Sequence, residues 1–171
     1  MVASFRQEIA AALPSEERLR ARLVELPERQ WVALAGVFAA GLPEIDAVIT
    51  LPGAVALARA LAQARGLPLL EAHLPGDVDT WLPTIPPSGE VILVTAHLEG
   101  GAPELEAVAH ATAHGLRPVA VAAAVERTSA GARSRLETQG VRVYTALQLA
   151  DTPRGLVFER RAPRRWRERH R

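Results

Sequence analysis

The stretch VILVTAHLEGGAPELEAVAHATAHG, residues 91–115, decides the fold. Val91, Ile92, Leu93 and Val94 form an apolar, β-branched run, the mark of a strand buried on both faces. Glu99, Gly100, Gly101 and Ala102 make a turn. A helix over 103–114 follows, and Pro103 suits its first position because it has no N–H to leave unpaired. Strand, glycine turn and helix leave backbone N–H groups exposed at a strand end, where α/β proteins hold phosphates.

The same alternation extends outward in both directions. DAVITL (46–51) reads as a buried strand, Pro52 and Gly53 as its turn, and AVALARALAQAR (54–65) as a helix stopped by Gly66. LPLLEA (67–72) is a second strand. Downstream come strand 117–125, a turn with a short helix over 126–139, and strand 141–147. Upstream, 4–13 and 15–26 read as helices, with Ser15 as a cap and Glu16 and Glu17 in the first turn. Residues 31–42 are apolar and fit either helix or strand. Strands that alternate with helices predict an open parallel sheet of about five strands with right-handed crossovers. The turns after 51 and 94 then share the carboxyl edge of that sheet.

Composition narrows the function classes. A chain of 171 residues with 49% hydrophobic content reads as one globular domain. No apolar run reaches the roughly 18 residues that span a bilayer. The N-terminus carries acids and lacks a signal-type apolar stretch, so a cytoplasmic protein is expected. Without cysteine there is no disulfide, thiolate metal site or cysteine nucleophile. All 20 basic residues are arginine, which excludes a Schiff-base lysine. Residues 160–171, RRAPRRWRERHR, hold seven arginines and one glutamate, net +6, against an overall +1. Such a tail contacts a polyanion weakly, is a disordered tail, or lies as an arm on the acidic body of a partner subunit. The N-terminal helices lack a basic recognition face, which argues against a DNA-binding pair.

Three segments together resemble the type I phosphoribosyltransferases, over roughly residues 46–150. DAVITLPGAVALARALAQARGLPLLEA is similar to the strand, pyrophosphate loop and helix that open that family's core. VILVTAHLEGGAPELEAV is similar to its phosphoribose-binding strand, loop and helix. RPVAVAAAVERTSAGARSRLETQGVRVYTALQLAD is similar to its closing strand, helix and strand. The adenine and orotate branches are the nearest in pattern. The resemblance implies a pyrophosphate loop at Leu51, Pro52 and Gly53. It implies a phosphate and ribose site at Thr95, Ala96, Glu99, Gly100, Gly101 and Ala102. The family's signature puts two acids after the apolar four, and here they fall on Thr95 and Ala96. Glu99 adds an anion beside the expected phosphate, repulsive unless a cation intervenes.

The expected function is therefore a phosphoribosyltransferase-related protein that binds a nucleotide or phosphate ligand with impaired or altered catalysis. The alternatives are an active transferase with unusual ribose contacts and magnesium, or a non-enzymatic regulatory or assembly module. The domain expected is 1–159, with a reduced hood from 1–45 and 73–89, and a homodimer is expected.

Other residues have two readings each. His110 and His114 have metal-ligand spacing. Leu105, Val108, Ala109 and Thr112 are taken as the apolar stripe of their helix, so the histidines read as solvent-facing and no metal site is assigned. His97 falls in the loop, either packed or touching ligand. Trp81, beside Asp77 and Asp79 in the proline-rich segment 73–89, is a base-stacking candidate or a plug at the core edge. Trp31 carries the same choice.

Overall fold

The computed structural model describes residues 2–73 and 88–159. The arginine tail, and Asp77, Asp79 and Trp81, lie outside the described residues. Three helices come first: α1 (Val2–Ala12), α2 (Glu16–Glu25) and α3 (Glu28–Gly41). Ser15 caps α2 as expected, its hydroxyl accepting from the Arg18 N–H at 3.1 Å. The apolar 31–42 segment is helical, with Trp31, Leu34, Ala35 and Phe38 buried at helical spacing.

The remaining elements alternate as predicted. They are β1 (Ala47–Thr50), α4 (Val55–Arg65), β2 (Leu69–Glu71), β3 (Gly89–Leu98), α5 (Ala102–Ala113), β4 (Leu116–Arg127), α6 (Ala132–Thr138), β5 (Arg142–Thr152) and β6 (Gly155–Phe158). The sheet has six strands in the order β2-β1-β3-β4-β5-β6. Every neighbouring pair is parallel except β5 and β6, which are antiparallel. The sixth strand was not expected. It is only four residues long, and its outer edge is closed by Leu156 N–H donating to the Pro14 carbonyl at 2.9 Å. Gly155 is required there: its φ is +110°, and a Cβ would stand 2.5 Å from the Pro14 carbonyl oxygen.

Period-two alternation splits the strand side chains between two cores. Val48, Ile92, Val94, Ala120, Ala122 and Leu147 face one side, where they meet α1 to α4. Ile49, Val91, Leu93, Val121, Ala123 and Val143 face the other, against α5 and α6. Trp31 belongs to the first core, its ring 6.0 Å from that of Phe5, as its packing reading requires. Burying each Leu or Ile in these layers stabilises by about 1.5–3 kcal/mol.

Local devices fix the ends of α4 and α3 and join β4 to its neighbours. Gly66 stops α4 in the left-handed region at φ 65°, as its position in the sequence predicts. Arg65, the last residue of α4, donates to the Ala39, Leu42 and Pro43 carbonyls and so satisfies the exposed end of α3. Buried Glu126 on β4 is held by Arg133 from α6 at 2.7 Å and by Gln148 from β5 at 3.0 Å. That hydrogen bond and charge raise the Arg133 pKa.

Candidate functional site

Parallel pairing of β1 and β3 brings the two predicted turns together. Thr50 lies opposite Val94, and Leu51 N–H donates to the Val94 carbonyl at 2.9 Å. Leu51 is buried, while Pro52 and Gly53 are exposed, with Gly53 at φ +86°. Beside this turn lies a cavity of about 470 Å³. Its walls are Arg20, Leu23 and Val24 from α2, Leu51, Pro52 and Gly53, then Thr95, Ala96, His97 and Glu99, and Pro103 and Glu104 from α5.

The strand expected to stop at Val94 continues to Leu98, paired with β4 as far as Glu126. Thr95, Ala96 and His97 are therefore strand residues and not loop residues. Thr95 is buried, and its hydroxyl donates to Glu104 Oε2 at 3.3 Å. Ala96 packs against the first core. His97 is packed and also lines the cavity. Its Nδ1 is 3.5 Å from Glu99, and its Nε2 is buried without a partner among the described residues. Burial lowers the His97 pKa; Glu99 opposes that shift, while Arg20 and Arg127 reinforce it.

Glu99 is not an unopposed anion. Arg20 donates to both of its oxygens, at 3.1 and 3.2 Å, and Arg127 lies 3.6 Å away. Glu16 bridges the same two arginines at 2.8 Å each, and Asp151 holds the Arg127 Nε at 2.8 Å. The Asp151 hydrogen bond is the chief reason that the Arg127 pKa is raised. Gly100, Gly101 and Ala102 do not line the cavity. The Gly100 carbonyl accepts from Arg135 at 2.8 Å. Gly101, the residue before α5, sits at φ +87° with Ala132 3.0 Å from where a Cβ would stand.

The apolar stripe of α5 also differs from the expected one. Glu104, Ala107, Val108 and Ala111 are buried, whereas Ala109 and Thr112 are exposed and Leu105 is half-buried. His110 and His114 are half-buried, not solvent-facing: His110 lies 3.6 Å from Glu106, and His114 Nδ1 is 3.0 Å from the His110 carbonyl. Among the described residues no three His, Asp or Glu side chains converge as a metal-ligand set.

Glu104 is the residue that motif reading passed over. Its carboxyl is pushed up to about 7 by burial, against the lowering effect of its own backbone N–H and the Thr95 hydroxyl. The spacing 104, 107, 108, 111 is a regular helical stripe and contained the signal. A glutamate on that stripe is a buried acid at a helix start, which belongs to a site more often than to a core.

A six-stranded, mostly parallel sheet with its two turns beside one edge cavity can be compared with known structures. The orotate phosphoribosyltransferase of Mycobacterium tuberculosis, solved with inorganic phosphate, superposes with TM-score 0.62 at 21% identity, over 75% of each chain. The fold is that of the type I phosphoribosyltransferases. The UMP synthase of Leishmania donovani gives TM-score 0.64 at 20% identity over 74% of this chain. The chain spans only 28% of that longer protein. The adenine phosphoribosyltransferase of Saccharomyces cerevisiae, complexed with adenine and an imino-altritol bisphosphate, gives 0.54 at 21%, covering 85% of this chain and 99% of its own. No protein-family model matches the sequence. No curated protein sequence matches it. Among the described residues no helix is long and apolar enough to cross a membrane.

Proposed function

We propose that this phosphoribosyltransferase-fold chain binds a nucleotide, or part of one, in the cavity between the 51–53 turn and the 95–104 arm, and that it transfers a phosphoribosyl group poorly or not at all. The observation that carries the reading is the chemistry at 95 and 96. Phosphoribosyl transfer passes through a cationic, oxocarbenium-like sugar whose ribose, metal and leaving group must be fixed together. Two carboxylates at these positions would give charge-assisted hydrogen bonds to the sugar. Thr95 instead spends its hydroxyl on Glu104, and Ala96 has nothing to offer. With no convergent ligand set among the described residues, magnesium would be held largely by the diphosphate of the substrate.

One observation favours an active enzyme. Glu104 brings a carboxyl beside Thr95 from the helix, close to where the missing acids would stand. Steady-state assays with phosphoribosyl diphosphate, saturating magnesium and each of adenine, guanine, hypoxanthine, xanthine, uracil and orotate separate the two readings. Turnover is expected to be absent or far below the common enzyme range. A rate within ~1–10³ per second on any base would overturn the proposal. A second copy of the chain as partner, and a weak polyanion contact by the 160–171 tail, belong to the same reading.

A further inference from the structure

If the cavity is a ligand site, as proposed above, its charge and its walls determine which part of a nucleotide enters. The start of α5 attracts an anion through its free N–H groups and its dipole. That position is already taken from within the chain. Glu104 is the third residue of α5, and its carboxyl interacts with its own backbone N–H and accepts from the Thr95 hydroxyl at 3.3 Å.

The surrounding cations are also committed. Arg20 is the only arginine among the described residues that line the cavity, and it is shared between Glu16 and Glu99. Arg127 behind it is shared among Glu16, Glu99 and Asp151. Three carboxylates thus face two guanidinium groups before Glu104 is counted. A phosphate entering this space would lose hydration and meet no unpaired cation among the described lining residues, which is unfavourable.

The walls suit a different kind of group. Leu23, Val24, Leu51, Pro52 and Pro103 give apolar surfaces for a flat ring. The polar side of the cavity carries acceptors: the Glu104 carboxyl and the Thr95 oxygen. An N–H or O–H edge on the ligand complements them.

We infer that the cavity selects an uncharged ligand with a flat apolar face and a donor edge, the chemistry of an unphosphorylated nucleobase or nucleoside, with Glu104 standing where a ligand phosphate would otherwise sit.

Calorimetry on the full chain, at a pH above the Glu104 pKa, tests this with adenosine, guanosine and uridine, their free bases, their 5′-monophosphates and inorganic phosphate. At least one base or nucleoside is expected to bind about tenfold or more tightly than its monophosphate, and Glu104→Gln should narrow that gap by about tenfold. If Glu104→Gln does not fold, Glu99→Gln reports on the same discrimination. A monophosphate that binds as tightly as its nucleoside, or a gap unchanged by the substitution, would overturn the inference. Binding by monophosphates alone sinks it and leaves the ligand-site reading intact. Silence across the whole panel sinks both.

Discussion

Glu104 is a buried acid whose carboxyl titrates at about 7 instead of its ordinary 4.5. A carboxyl with a raised folded-state pKa holds its proton longer in the folded chain than in the unfolded one. Its ionisation therefore opposes folding: the stability present below 4.5 is lost as pH rises through about 7. The full loss is on the order of 3 kcal/mol. Urea midpoints of the parent chain should therefore fall across that window, and those of Glu104→Gln should fall less. Parallel pH profiles would show that Glu104 is not the group responsible. Motif spacing was enough to find Thr95 and Ala96, because a signature loop is local in sequence. Glu104 escaped because the stripe was phased on Leu105, Val108, Ala109 and Thr112, by apolar identity and one residue away from the true buried face. Burying an acid contradicts the pattern used to find buried residues.

At the scale of elements, strand and helix identity was legible and strand length was not. VILV is a strong local strand signal, but Thr95, Ala96 and His97 join β3 only because β4 supplies partners as far as Glu126. That pairing is long-range, and polar residues at the end of a strand look like a turn when read alone. The GLVF strand, β6, was invisible for the same reason: four residues give too short a period, and its outer partner is Pro14. The Ser15 cap and the Gly66 stop are determined within one turn of chain, and both were read correctly. Gly155→Ala tests the β6 corner. A left-handed φ together with a carbonyl oxygen 2.5 Å from the new Cβ should destabilise by about 1–3 kcal/mol. Denaturant melts of the two proteins measure it, and an unshifted midpoint would show that β6 is not held against Pro14.

At the scale of the whole molecule, the alternation of buried strands and helices was enough to predict a parallel sheet with its two turns on one edge. The packing of α1 to α3 was not, because they precede β1 and no crossover between strands assigns them to a face. Those helices share one core with the sheet. Charge is distributed as unevenly as hydrophobicity: the tail is net +6 in a chain that is +1 overall. Sedimentation of the 18.4 kDa chain should show a dimer. Added heparin should bind in low salt and be released within a few tenths molar salt, through the tail. A chain cut after Glu159 should lose the heparin response. A monomer would remove the second copy from the proposal, and heparin binding by the shortened chain would remove the tail.

The junction of Leu156 with the Pro14 carbonyl also has a meaning in time. A ribosome makes the α1–α2 corner before any strand of the sheet, and β6, which closes it, after all the others. Arg6, set 3.8 Å above the Phe158 ring, likewise waits for β6 to supply its partner. Until then the apolar faces of the first helices have an unfinished sheet to pack on. Part of those faces stays uncovered on the nascent chain until β6 is made, which is when a cell's chaperones have their opportunity to hold it.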